Sequence, residues 1–257
     1  MIIVIGGIKG GAGKSTIAAN LAARRATEYN VLLVDGDEQE TTTLWAATRS
    51  ENLSEQNSNL TCIQLRGRAA RDEVLKLSAH YQDVLIDVGG RDTTTQRAAL
   101  TIANLVLLPL PPRGPDIWTL DKVAELLEEV RTVNPDLVAW AFLNRADAGG
   151  TDNQDAMQMI SDTPGIESLE KPSGTFRAEL LPNTMILPPT WLALLRAVWT
   201  YFLSQTGSTS GPVILPERMN ELNASGRRGI SSISQRRGSH SDSSLSGIRS
   251  PATESSM

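Results

Sequence analysis

Eight consecutive residues, Lys9-Gly10-Gly11-Ala12-Gly13-Lys14-Ser15-Thr16, join four small residues to two ammonium groups and two hydroxyls. That mixture suits a phosphate chain. Gly10, Gly11, Ala12 and Gly13 let backbone N–H groups approach phosphate oxygens, and a helix opening at Lys14 adds partial positive charge. Lys14 is placed to reach the β- and γ-phosphates, and the Ser15 hydroxyl to ligate Mg²⁺. Lys9 is the unusual member. In the ordinary pattern a glycine stands five residues before Gly13, where this chain has Ile8, and the second lysine follows directly.

Phosphoryl transfer also needs a metal-holding acid and a positioned water. Val84-Leu85-Ile86-Asp87 is an apolar run ending in a carboxylate, the arrangement expected of an acid that holds Mg²⁺ through water. Val31-Leu32-Leu33-Val34-Asp35-Gly36-Asp37 repeats the pattern with two carboxylates. Asp37 is the candidate for facing the γ-phosphate and orienting the attacking water, with a place in the metal shell as its second option. For Asp35, at the strand end, a structural and a metal-shell role are both open. Gly89-Gly90, after Asp87, gives the backbone freedom that a γ-phosphate sensor would use.

These groups need strands that end at one edge. Ile2–Ile5, Val31–Asp35, Leu60–Leu65, Val84–Val88, Leu105–Leu110 and Leu137–Leu143 are continuous apolar runs, as in parallel strands covered on both faces. Lys14–Ala26, Ala69–Ala79, Thr94–Ala103 and Asp116–Val133 read as helices between them; the last carries Leu120, Val123, Leu126, Leu127 and Val130 at helical spacing, with Asp116 as N-cap. The alternation predicts an α/β fold, a doubly wound, mostly parallel sheet with helices on both faces and ligands at the carboxyl ends of the strands. The expected division is a phosphate-loop (P-loop) domain over 1–205 and a Ser/Arg-rich, disordered tail over 206–257. From about Thr163 prolines interrupt the pattern, and Trp191–Leu203 is a compact apolar segment too short to span a bilayer.

Composition narrows the function. A net charge of −5 over 257 residues means that any nucleic-acid binding needs a local basic face. The single cysteine, Cys62, excludes an intramolecular disulfide and a cysteine-ligated cluster, fits a cytoplasmic location, and reads as a small buried hydrophobe. Met1–Ile8 is short, lacks a basic leader and runs directly into the glycine loop, so it is not expected to act as a secretory signal.

The loop with its extra lysine resembles the deviant Walker A motif of the ParA/MinD ATPases. Asp35-Gly36-Asp37-Glu38-Gln39 is similar to that family's second motif, with Glu38 where proline is usual, and Trp45 matches a tryptophan common in partition ATPases. Leu85-Ile86-Asp87 resembles the Walker B strand, Pro109-Leu110-Pro111-Pro112 with Asp116 the proline-rich stretch after the next strand, and Phe142-Leu143-Asn144-Arg145 the strand end whose asparagine contacts adenine. The resemblance covers about residues 1–165 and implies ATP and Mg²⁺ as cofactors. It implies further that two ATP-bound subunits face each other, with Lys9 of each reaching the other's phosphates, so that hydrolysis is slow alone and coupled to dimer assembly. A ParB-like adaptor is the implied stimulator.

The leading expectation is a partition-type ATPase that binds DNA without sequence preference as an ATP dimer, which would associate it with the nucleoid. Arg66, Arg68, Arg71, Arg177 and Arg196, with Arg218, Arg227, Arg228, Arg236 and Arg237 in the tail, are the candidate phosphate contacts. The alternative is a MinD-like or other cargo-positioning ATPase without DNA binding. Membrane cycling is the weaker form of it, because the tail lacks the apolar face of an amphipathic anchor. A non-hydrolysing scaffold is disfavoured by Lys14, Asp37 and Asp87 together. Metabolic enzymes on the same fold generally lack the Lys9 signature. After Gly165 the chain departs from the family's C-terminal pattern, which leaves a divergent segment or a displaced reading frame as the two readings.

Overall fold

The computed structural model describes residues 1–52, 59–90, 93–113, 118–145 and 152–169. Asp116, Trp191–Leu203 and the expected tail lie outside them, as do Arg177, Arg196 and the tail arginines.

Seven parallel strands form one sheet in the order β3-β2-β4-β1-β5-β6-β7. They are β1 (Ile2–Ile5), β2 (Val31–Asp35), β3 (Leu60–Gln64), β4 (Asp83–Asp87), β5 (Leu105–Leu110), β6 (Val138–Leu143) and β7 (Glu167–Ser168). The first six coincide with the apolar runs to within a residue at each end. Side chains alternate between faces along a strand, so each run feeds two cores. On β1, Ile3 and Ile5 join Leu33, Leu85, Leu105, Leu107 and Phe142 against Ile17, Leu21 and Ala22 of α1 (Lys14–Arg25). Ile2 and Val4 face the other way, with Val34, Val84, Ile86 and Val106.

That second face is covered by α3 (Ala69–Ser78), α4 (Thr94–Leu100), α5 (Leu120–Arg131) and α6 (Asp152–Asp162). Leu120, Val123, Leu126, Leu127 and Val130 of α5 are all buried, as their spacing required. Each such side chain contributes about 1.5–3 kcal/mol on burial. Helix α4 stops at Leu100, earlier than the expected Ala103, because Asn134 donates to the carbonyls of Leu100 (2.9 Å) and Ala103 (2.8 Å) and closes the turn into β5.

Two helices went unread in the sequence. Helix α2 (Thr41–Asn52) fully buries only Thr42 among its described side chains, and α6 only Ala156 and Ile160. Neither leaves an apolar stripe wide enough to mark it.

Candidate functional site

The sheet register brings the acids together. Asp35 and Ile5 are both register partners of Asp87, so β2, β4 and β1 end at one level. The Gly36 N–H donates to the Asp87 carbonyl (2.8 Å), extending the β2–β4 ladder one step past Asp35 and setting where Asp37 emerges. A Cβ on Gly89 would sit 3.4 Å from Asp37 Oδ1, so the Asp37 carboxylate lies against the chain just beyond β4.

The two strand-end carboxylates have different fates. Asp35 is fully buried and satisfied: Oδ2 accepts from the Thr43 N–H and hydroxyl (both 2.8 Å), and Oδ1 from the Asp37 N–H (3.2 Å). It pins the first turn of α2, which is a structural task. Asp87 is equally buried, yet neither carboxylate oxygen has a hydrogen-bond partner. The Ser15 hydroxyl neighbours it without completing a well-formed bond to either oxygen. Burial, reinforced by Asp35 and Asp37 and opposed by Ser15 and Lys14, pushes the Asp87 carboxyl up to about 7.

Lys14 is 6 % exposed, and its Nζ donates to the carbonyl of Lys9 (2.9 Å). Burial lowers its pKa, and the charges of Asp87 and Asp37 act against that shift. The loop therefore folds over its own lysine, with the Lys9, Gly10 and Gly11 side of the turn exposed. Gly13 caps α1 at φ +88°, a left-handed conformation that favours glycine. Gly90 is constrained from outside: a Cβ there would fall 2.5 Å from the Gly10 nitrogen and 2.7 Å from the Lys9 carbonyl carbon. Gly90 thus lets the chain after β4 pass directly against the loop backbone, while Gly89 faces Asp37.

Asn144 ends β6 beside this loop. Its Nδ2 donates to the Ala12 carbonyl (2.7 Å), and its buried Oδ1 has no partner. Arg145 donates to the Gly11 carbonyl (2.8 Å). Sequence reasoning assigned Asn144 to adenine and gave Arg145 no contact of its own.

The arginines proposed for a basic face separate. Arg66 donates to the Asp37 carbonyl (3.1 Å) and to Glu40 (2.8 Å), so it braces the Asp37 turn, where Glu40 has φ +56°. Arg71 pairs with Asp72 and, with Arg68, lines a groove of about 570 Å³ between α3 and α4, which is also lined by Arg97, a residue outside the candidate set that pairs with Glu129. Cys62 is half-buried, and desolvation raises its thiol to about 11, so it stays protonated at neutral pH. Trp45 packs against the α1 face of the core, with the Arg49 guanidinium 5.6 Å from its ring centroid.

A family model described as the CobQ/CobB/MinD/ParA nucleotide-binding domain matches residues 3–173. The chain belongs to this family. Among curated relatives it is similar to "Maintenance of carboxysome distribution protein A" of Halothiobacillus neapolitanus, 27 % identical over 171 residues, covering 65 % of this chain and 76 % of that one. It is similar also to "Protein ParA" of Rhizobium radiobacter, 30 % identical over 133 residues, covering 50 % and 56 %. Of solved structures, apo McdA of Cyanothece aligns at TM-score 0.63 and 17 % identity, over 78 % of this chain and 98 % of that one. Cobyrinic acid a,c-diamide synthase of Mycobacterium smegmatis, with an ATP analogue and magnesium, aligns at 0.62 and 18 %, over 79 % and 96 %. At these identities the structural matches establish the fold.

Membership makes the loop a nucleotide site, and the residues fit a magnesium nucleotide. Among the described residues no group of three or more His, Cys, Asp or Glu side chains could hold a metal alone. Mg²⁺ commonly arrives with substrate phosphates and one or two protein oxygens, keeping several waters. Ser15 could supply such an oxygen, the unpartnered Asp87 could hold the ion through water, and Lys14 would have to leave the Lys9 carbonyl to meet a phosphate. No helix among the described residues is long and apolar enough to cross a membrane.

Proposed function

We propose that this chain is a cargo-positioning ATPase that cycles between an ATP-bound dimer and a released state, hydrolysing ATP slowly until an adaptor accelerates it. One combination carries the reading: Lys9 lies at the exposed lip of a loop beside which buried Lys14 and Asp87 and the neighbouring Asp37 gather, the residue types that hydrolysis would use. In a face-to-face pair, Lys9 of one subunit would add positive charge to the phosphates held by the other. That charge stabilises the transferring phosphoryl group only in the assembled state. Asp37 would orient the water, Ser15 would ligate Mg²⁺ with Asp87 holding it through water, and Asn144 would face the base. Mg²⁺, when bound, neutralises charge on the β- and γ-phosphates.

The relative named for carboxysome distribution and the relative named ParA support positioning of a cargo as the output. DNA is the proposed track. Of the candidate contacts, Arg68 and Arg71 belong to the exposed α3–α4 side, whereas Arg66 is committed to the Asp37 turn. The test is binding of the full chain to arbitrary duplex DNA with ATP and with ADP across a salt series. ATP-dependent binding that weakens steeply with salt supports the DNA track. ATP hydrolysis without DNA binding at any salt concentration moves the reading to a cargo-positioning ATPase on another track.

A further inference from the structure

We infer that Arg145 is a positioning residue for the phosphate loop, acting with Asn144 as a two-pronged clamp on consecutive peptide units. The inference rests on the loop's nucleotide-binding role. Asn144 Nδ2 takes the Ala12 carbonyl and Arg145 takes the Gly11 carbonyl, across separations of 132 and 134 residues. In a planar trans peptide the C=O and the next N–H point in opposite directions. Fixing the Gly11 and Ala12 carbonyls therefore fixes the directions of the Ala12 and Gly13 N–H groups, the donors that such a loop offers to phosphate.

Three further observations make the clamp more than a chance contact. Arg145 has φ +61°, a left-handed conformation that is uncommon for a non-glycine residue and that asks for a compensating interaction. Its bond to Gly11 is such an interaction. The clamp base is rigid, because the Asn144 N–H continues the sheet by donating to the Leu110 carbonyl (2.8 Å). The fit is also close: a Cβ on Gly13 would stand 2.4 Å from Asn144 Nδ2, so the loop glycine leaves room for the clamp as well as for its own φ. The end of β6 thereby sets the shape of a loop that follows β1, two strands away in the sheet.

The role separates from plain structural support because glycine suits a positive φ better than arginine. Calorimetric ATP titration and thermal unfolding of the parent chain, Arg145→Gly and Arg145→Lys form the test. Arg145→Gly is expected to melt at or above the parent temperature while binding ATP about tenfold more weakly, the effect of one lost charge-assisted hydrogen bond. Arg145→Lys, whose ammonium can still donate to the Gly11 carbonyl, is expected to bind within about threefold of the parent. Parent-like ATP affinity in Arg145→Gly overturns the clamp, as does Arg145→Lys binding no better than Arg145→Gly. A parent chain that binds no ATP overturns instead the nucleotide-site reading beneath it, and the clamp with it.

Discussion

Asp35 and Asp87 are register partners at the ends of neighbouring strands, equally buried, and only Asp35 has its oxygens satisfied. The difference assigns their work. A buried carboxylate with three donors anchors structure, whereas one without donors is costly until a cation or a proton reaches it.

Asp87 should therefore give the nucleotide-free protein a characteristic pH dependence. Its carboxyl has the ordinary value of 3.8 when unfolded and is pushed up to about 7 by burial when folded. Between those values the folded state keeps a proton that the unfolded state has released, so stability falls as pH rises from about 4 to about 7. Asp87→Asn should abolish that decline and melt higher than the parent at pH 8. It should also lose the extra stabilisation that Mg²⁺ adds to ATP. Melting curves at pH 5, 6, 7 and 8 check both; an unchanged pH profile would remove Asp87 from the titration.

Asp35 is tested through its hydrogen bonds instead. Thr43→Val deletes the hydroxyl that bonds Asp35 Oδ2 and leaves the backbone donor in place. The loss should be about 1–2 kcal/mol by urea denaturation, with ATP affinity little changed. Asp35→Ala should cost more, about 3 kcal/mol, because two donors at the start of α2 and the Asp37 N–H lose their acceptor together.

Gly90→Ala probes the backbone contact between the turn after β4 and the loop. The added Cβ meets backbone atoms of Lys9 and Gly10, so the loop has to move. The expected result is a folded protein whose ATP turnover drops at least about tenfold, the scale of a displaced catalytic constellation. Far-ultraviolet circular dichroism and phosphate release measure the two halves of that statement.

Lys14→Ala and Asp37→Ala should separate binding from chemistry. Lys14→Ala is expected to lose magnesium-dependent ATP binding. Asp37→Ala should bind ATP with near-parent affinity and lose turnover by about 10²-fold or more, as expected when a water-orienting group is removed. Retained hydrolysis in Asp37→Ala would take that residue out of the catalytic role.

Much of this architecture is legible in the sequence because strands buried on both faces must be apolar at every position. Val31–Val34 and Leu105–Leu110 show this, being buried at each residue. The loop is legible for a different reason, since few residue types allow a backbone to wrap a phosphate. Helix α2 is not, because its start depends on Asp35, several residues upstream, and its sides face solvent and α1. The clamp is not legible either: Asn144 and Arg145 identify a strand end, but nothing local names carbonyls more than 130 residues away as their acceptors. Arg66 illustrates the same limit. As a residue in a sequence it is a positive charge available to DNA, and in the fold it braces the Asp37 turn.

The most direct test of the account is the solution mass of Asp37→Ala by light scattering, with ATP·Mg²⁺ and with ADP·Mg²⁺, alongside the same variant carrying Lys9→Ala. The account predicts a monomer in ADP, twice that mass in ATP, and weakened doubling without Lys9. A chain that binds ATP yet keeps the monomer mass at every protein concentration would contradict it.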